Sequence, residues 1–376
     1  MKKRIHGLDL LRSLAIGLVM LGHAGQIMQL KFPGVTPFVN TGPFGVDLFF
    51  VLSGFLIGGI LLRLRDDLAG PRTLAGFWLS RALRTLPSYY LFVGVNVAVR
   101  LLVYRYPLQS WRAVLPYLVF GQSLFRRPDW FFVESWSLCV EEWFYFLLPV
   151  AICLCLQVLR RMVPVYCALV GAMIAASLCL RAAVRPGDLD SLAVVYHADS
   201  IGLGLAAAAV AAARPVAWRR AAPAAAWAGA VLAGLAYAYA VRPHDEASLL
   251  ACAAAPFARA LGYALLLPWA SGRLAGGGSP FEAATAAVAR WSYSLYLTNF
   301  ICCITSMIFV MPRLGITAAV AAMLASSLLA SAALYRWFEK PVLELRGRIP
   351  VCRETRAYVP FAPDPAPAAA APARGS

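Results

Sequence analysis

Charged residues are scarce in this chain. They make up 14% of its 376 residues, whereas soluble domains contain roughly 25%. Hydrophobic residues account for 61% of the chain, and the mean hydropathy is +0.69. This composition excludes an ordinary soluble enzyme. It predicts an all-α, polytopic integral membrane protein.

Cysteine patterns for metal binding or disulfide formation are missing as well. The nine cysteines include no Cys-x-x-Cys pair, and most of them lie in apolar runs. We therefore expect neither a zinc site nor a disulfide framework. Small buried hydrophobic residues are the better interpretation of these cysteines.

The net charge of +16 would indicate nucleic-acid binding in a soluble protein. Here the basic residues lie mostly between apolar segments, where they orient a protein in the membrane. A cytoplasmic N-terminus places roughly twice as many Lys and Arg residues inside as outside, as the positive-inside rule requires. We therefore predict no nucleic-acid partner and both termini in the cytoplasm.

Ten apolar runs are long enough to cross a bilayer. The predicted spans are 8–28, 45–64, 85–104, 136–159, 163–181, 193–213, 222–241, 248–270, 286–311 and 315–335. The run 113–125 is too short and is interpreted as re-entrant or interfacial. The predicted domains are a membrane domain, 1–345, and a cytoplasmic tail, 346–376, which is Pro/Ala-rich and disordered from about 360.

Ionisable residues within the first span are a strong functional signal, because burying charge in hydrocarbon is costly. Arg12 and His23 are eleven residues apart, which places them on one helical face, separated by roughly 16 Å along the axis. Asp9 can pair with Arg12. Arg12 could instead be a snorkelling anchor, and His23 a packing residue, but their shared face favours function.

Two adjacent carboxylates, Glu141 and Glu142, lie within an apolar segment. On a helix, Ser137, Glu141 and Tyr145 share one face. A carboxylate can orient an imidazole and stabilise its cationic form. The alternative is a buried pair with an arginine.

Two further segments carry charge near span ends. Asp47 and Ser53 lie in Gly-Val-Asp-Leu-Phe-Phe-Val-Leu-Ser-Gly-Phe-Leu-Ile, where Asp47 could be catalytic or merely interfacial. Arg81 and Arg84 share a face at i, i+3. They could clamp phosphate groups or serve only to set the topology.

Two later segments carry weaker signals. His197 and Asp199 open the sixth span, and the segment from Trp291 to Asn299, which includes Tyr293, offers hydroxyls and an amide. The side chains of either segment could simply form hydrogen bonds between neighbouring helices.

Taken in order, these motifs resemble those of the acyltransferase 3 family of integral membrane acyltransferases. The similarity covers about residues 4–345. It is carried by Arg12-x10-His23, the segment 45–57, Arg81-x-x-Arg84-x-x-Pro-x-Tyr, Trp136-Ser-Leu-Cys-Val-Glu-Glu-Trp-Phe-Tyr, Ser292-Tyr-Ser-Leu-Tyr-Leu and Arg336-Trp-Phe-Glu-Lys-Pro. The family usually has a histidine where this chain has Asn299, so acceptor choice here could differ.

The resemblance implies an O-acyltransferase that transfers acyl groups other than aminoacyl groups. It implies His23 as base or transient acyl carrier, assisted by Glu141 and Glu142, with Glu141 favoured. The expected donor-binding residues are Arg12, Arg81 and Arg84. The expected substrate-binding residues are Asp47, Ser53, Trp136, Ser137, Tyr145, Tyr293 and Asn299.

The same resemblance implies partners and location. The donor substrate is cytoplasmic acyl-CoA, chiefly acetyl-CoA, and the acceptor is a carbohydrate, glycolipid or small-molecule hydroxyl. We expect no permanently bound cofactor, no metal and a multi-pass location in a bacterial inner membrane. The alternative is a transporter or flippase of a polyanionic or lipid-linked substrate, in which the same charges line a path.

Overall fold

A computed structural model describes residues 5–39, 41–64, 67–68, 70–103, 111–124, 132–159, 161–183, 193–242, 253–273 and 278–354. Ten helices in this part of the chain have 16 residues or more. They are α1 (His6–Gln29), α3 (Thr41–Leu64), α4 (Pro71–Ala98), α6 (Ser135–Leu159), α7 (Met162–Ala183), α9 (Ala198–Ala213), α10 (Pro215–Ala240), α11 (Ala255–Gly272), α12 (Pro280–Thr305) and α13 (Met311–Leu334).

Shorter helices connect or follow the long ones. These are α2 (Thr36–Val39), α5 (Leu115–Leu118), α8 (Ala193–Tyr196), α14 (Lys340–Arg348) and α15 (Pro350–Glu354). Proline opens α4, α10 and α12, where its missing N–H costs nothing. At α12 the Ser279 hydroxyl also accepts a hydrogen bond from the Glu282 amide at 3.2 Å, which caps the helix start.

The all-helical, multi-span architecture agrees with the sequence prediction. Eight segments of the described chain are long and apolar enough to cross a membrane, and the last of them, Pro280–Arg348, contains both α12 and α13. Each of the ten predicted spans overlaps one long helix. The start of the predicted span 248–270 lies outside the described residues. The count of ten crossings and the location of the termini stay predictions.

Helices α1 and α12 run in the same direction at the centre of the molecule. Their contacts advance together along both helices, from His6 with Phe281 to Ser13 with Thr285 and then to His23 with Asn299. Helix α3 runs antiparallel to α1, and the Thr41 hydroxyl donates to the Leu18 carbonyl at 2.9 Å. The residues of these three helices can therefore be compared by depth.

Helices α3 and α9 touch at two glycines. A Cβ on Gly54 would lie 2.1 Å from the Ile201 carbonyl oxygen, and one on Gly204 would lie 2.2 Å from the Val51 carbonyl oxygen. Only glycine permits this backbone approach, as at small-residue interfaces between membrane helices. The contact fixes the position of α3, which carries Asp47 and Ser53.

Two short segments pack against α4. The Tyr89 and Tyr90 hydroxyls donate to the Tyr117 and Leu118 carbonyls at 2.8 Å each, so α5 lies beside α4. Whether this run is re-entrant or interfacial stays a prediction. The predicted domain boundary at residue 345 falls inside α14. Beyond it, Arg346 donates to the Ser80 carbonyl at 3.3 Å, and the tail from about 360 lies outside the described residues.

Sidedness can be tested with single cysteines in a variant lacking the nine native ones. Gly34 and Arg72 are both exposed and belong to segments predicted outside and inside, respectively. We expect Gly34→Cys to react with an impermeant thiol reagent in intact cells, and Arg72→Cys to react only after permeabilisation. The reverse pattern would invert the topology.

Candidate active site

A cavity of about 100 Å³ lies between α1, α3, α4, α6 and α12. Eight predicted site residues line it, namely Arg12, Ser53, Arg81, Arg84, Ser137, Glu141, Tyr145 and Tyr293. The sequence placed these side chains on five separate motifs. The structure brings them to one space.

Three arginines, Arg12, Arg81 and Arg84, line this cavity. Arg12 lies 3.6 Å from Asp9, which confirms the predicted pair. Arg81 is 7% exposed, and its Nε has no hydrogen-bond partner within the described residues. Arg84 is exposed. The cavity can therefore bind an anion, because guanidinium groups pair with phosphates through forked hydrogen bonds.

Glu141 lies on the cavity wall with two hydroxyl groups. The Ser53 hydroxyl donates to its carboxylate at 2.6 Å, and the Tyr145 hydroxyl lies 2.9 Å from Ser53 Oγ. The face predicted from i, i+4, i+8 spacing on α6 is thus present. The predicted approach of Glu141 to His23 is not, because the bonded partner of the His23 ring is Asn299.

Tyr296 also lines the cavity and was not among the predicted site residues. Its hydroxyl donates to the Glu134 carbonyl at 2.9 Å, which leaves Ser137 as the donor in the 2.6 Å bond between the two hydroxyls. Tyr296 lies three residues from Tyr293 and three from Asn299, and this spacing on one helix was the signal that could have found it.

The Glu134 side chain lies just before α6 and is buried. Neither of its carboxyl oxygens has a hydrogen-bond partner within the described residues. Burial raises the pKa of Glu134 to about 8, so this carboxyl group is mostly neutral at pH 7.

His23 does not line the cavity. It lies beside Asn299, which is about one helical turn beyond Tyr296 on α12. Its Nδ1 is hydrogen-bonded to Asn299 Oδ1. An amide oxygen can only accept, so Nδ1 carries the proton and Nε2 keeps its lone pair. On α12, Ser292 and Asn299 share a face, as Arg12 and His23 do on α1. Both faces therefore lead from the cavity to the contact between His23 and Asn299.

Asp47 forms an ionic contact between helices, and its predicted substrate-binding role stays a prediction. Its carboxylate accepts from Arg259 Nε at 2.7 Å and lies 3.1 Å from His197 Nδ1. The Trp136 ring packs on His197, with centroids 5.0 Å apart. Neither Asp47 nor Trp136 lines the cavity. The structure gives Asp47 an ionic contact between α3 and α11 and gives Trp136 a packing contact.

Glu142 also lies off the cavity. It is next to Thr85 on α4, whose backbone carbonyl accepts from the Tyr293 hydroxyl at 2.8 Å. Of the two adjacent carboxylates, Glu141 lines the cavity and Glu142 does not, and the catalytic role expected for Glu141 stays a prediction.

Comparison with known proteins identifies the class of this site. The sequence model of the acyltransferase 3 family, described as an acyltransferase domain, matches residues 5–336. The chain belongs to the acyltransferase 3 family. The chain therefore contains an acyltransferase domain.

Several curated proteins are similar to this chain. "Putative peptidoglycan O-acetyltransferase YrhL" of Bacillus subtilis is 28% identical over 52% of this chain and 31% of its own length. "Peptidoglycan O-acetyltransferase OatA" of Listeria monocytogenes is 29% identical over 39% of this chain and 24% of its own length. The matched stretches thus span about a quarter to a third of these relatives. No solved structure matches at a significant level.

Proposed function

We propose that this acyltransferase moves an acyl group, chiefly acetyl, from cytoplasmic acyl-CoA to a hydroxyl of a carbohydrate or related acceptor. One observation carries the proposal. Three arginines line a cavity that Tyr296 also lines, and Asn299, about one helical turn beyond Tyr296 on α12, is bonded to His23. The enzyme would work in a bacterial inner membrane, with acyl-CoA as a substrate rather than a bound cofactor.

The arginines fit the donor. Coenzyme A carries several phosphates, and Arg12 on α1 and Arg81 and Arg84 on α4 offer guanidinium groups to the same cavity. Arg12 and His23 are separated by roughly 16 Å along α1, a span that an extended pantetheine arm can cover. The thioester would then lie near the imidazole while the phosphates stay at the arginines.

His23 would carry the chemistry. Its Nε2 lone pair can take the proton of the acceptor hydroxyl as general base, or can itself receive the acyl group before passing it on. The contact with Asn299 holds the ring in the tautomer that either route requires.

Glu141 then belongs to donor binding rather than to histidine orientation. Its carboxylate fixes the Ser53 hydroxyl on the cavity wall, beside the arginines that share this space. A buried anion there would keep the guanidinium groups facing the cavity through charge attraction.

The names of the relatives support the choice of acceptor. Two similar proteins are named peptidoglycan O-acetyltransferases, one of them as putative. Peptidoglycan fragments are therefore the first carbohydrate acceptors to assay, with other sugars as comparisons. A hydroxyl acceptor would reach His23 from the side opposite the arginines.

The arginine assignment predicts a donor-specific effect. Arg84→Lys keeps the positive charge but loses the forked hydrogen-bond geometry, and Arg81→Ala removes the charge. We expect both variants to raise the donor KM, Arg81→Ala by about tenfold or more, because each lost charged hydrogen bond is worth roughly 1.5–3 kcal/mol. Purified protein assayed with acetyl-CoA and a sugar acceptor measures this.

The acceptor KM is the internal comparison and should change little. Arg313→Ala is a matched control, since Arg313 is exposed and lies in a segment predicted to face outside. Unchanged donor KM values in Arg12→Ala, Arg81→Ala and Arg84→Ala would mean that these arginines only set the orientation of the protein in the membrane. Wild-type protein that transfers no acyl group from any acyl-CoA would overturn the proposed function.

A further inference from the structure

The Asn299 side chain has an unused donor next to His23. Asn299 is fully buried, with 0% exposure. Its Oδ1 is bonded to the His23 ring, but its Nδ2 has no hydrogen-bond partner within the described residues. A buried polar group without a partner costs about 1–3 kcal/mol. Such a group in a native protein calls for a functional explanation.

The position of this donor is set by the bond that its own oxygen makes. Oδ1 and Nδ2 belong to one planar carboxamide, so the free N–H group lies within a few ångströms of the imidazole that the oxygen holds. Phe300 packs on the same ring, with centroids 5.2 Å apart. The result is a fixed imidazole and a fixed, unsatisfied N–H donor side by side.

We propose that Asn299 Nδ2 donates a hydrogen bond to the oxyanion that forms when the acyl carbonyl is attacked. This inference rests on the proposed function of the His23 site. One side chain would thus do two things: its oxygen sets the tautomer of the base, and its nitrogen stabilises the transition state. A donor of this kind works because it is already in place when charge develops.

The step can be written for direct transfer. His23 Nε2 takes the proton of the acceptor hydroxyl, whose oxygen forms a bond to the thioester carbon. The carbonyl π electrons move to oxygen, and that oxyanion accepts from Asn299 Nδ2. When the carbonyl re-forms, the C–S bond breaks, and the coenzyme A thiolate takes the proton from the His23 imidazolium.

The test separates the two atoms of the amide. Asn299→Asp keeps an acceptor for His23 Nδ1 and removes the donor, whereas Asn299→Ala removes both. We expect Asn299→Asp to lower kcat by about 10²–10³-fold, the loss typical of one oxyanion donor, with little change in donor KM. Thr298→Val is the matched control, because Thr298 is the buried polar neighbour on α12 and bonds only its own helix, at the Leu295 carbonyl.

A second measurement reports on the tautomer without relying on activity. The chain has four histidines, so nitrogen NMR of ¹⁵N-histidine-labelled protein can follow His23, assigned by loss of its signal in His23→Ala. We expect the Nδ1-protonated ring in wild type and Asn299→Asp, and a mixture of tautomers in Asn299→Ala.

The outcomes distinguish this inference from the proposed function. If wild type transfers no acyl group, the function itself fails. If wild type is active and Asn299→Asp keeps kcat within about threefold of it while His23 stays Nδ1-protonated, the donor role of Asn299 is refuted. A fall in kcat equal to that of Thr298→Val would refute it too, because it would reflect general disturbance of α12.

Discussion

Replacing His23 with alanine is expected to remove acyl transfer while leaving the protein folded and inserted. The imidazole is held between α1 and α12 by Asn299, which leaves its Nε2 lone pair available, and it lies at the end of the stripe that begins at Arg12. General acid–base catalysis by a positioned side chain contributes about 10²–10⁴-fold. We expect kcat to fall by at least that factor, measured as acetyl transfer by purified protein in detergent.

The control for this variant lies on the same helix. His6→Ala removes an imidazole from the opposite end of α1, where it contacts Phe281 and does not line the cavity. It should keep near wild-type activity. Membrane insertion and thermal unfolding should match wild type in both variants. Substantial product from correctly folded His23→Ala protein would contradict a role for His23 as base or acyl carrier.

Breaking the Asp47–Arg259 pair is expected to give the largest loss of stability. Both side chains are almost buried, with 2% exposure for Asp47 and 12% for Arg259. Asp47→Ala would leave the guanidinium of Arg259 without its carboxylate partner, and breaking a buried pair in this way costs about 3–5 kcal/mol. Thermal unfolding of purified protein in detergent should show a lowered midpoint.

A double replacement separates structure from substrate binding. Replacing both residues by leucine removes the stranded charge, so Asp47→Leu/Arg259→Leu should be more stable than Asp47→Ala. Glu344→Ala is the matched control, because it breaks the exposed pair with Lys340, which is worth at most about 1 kcal/mol. A stable Asp47→Ala protein with a raised acceptor KM would instead support the substrate contact predicted from sequence.

The site residues predicted best are those whose chemistry is local. The face shared by Ser137, Glu141 and Tyr145 follows from helical spacing alone, and all three line the cavity. The Asp9–Arg12 pair likewise lies within one helix. These contacts can be predicted without knowing how other helices pack.

Contacts between helices could not be predicted in this way. The expected partner of His23 was Glu141, but the ring is bonded to Asn299, 276 residues away. Asp47 meets Arg259 at a separation of 212 residues. The relative depth and rotation of two helices decide such pairs, and the sequence of either helix carries neither quantity.

The sequence by itself determined the class of this protein. Its apolar runs require helices that satisfy their own backbone hydrogen bonds in lipid, and its ordered motifs identify the acyltransferase 3 family. Tertiary structure alone decided which polar groups meet. Backbone contact at Gly54 and Gly204 fixes α3 against α9, and the parallel packing of α1 and α12 brings Asn299 to His23. Side-chain partners inside a membrane are set by how closely and at what depth helices pack.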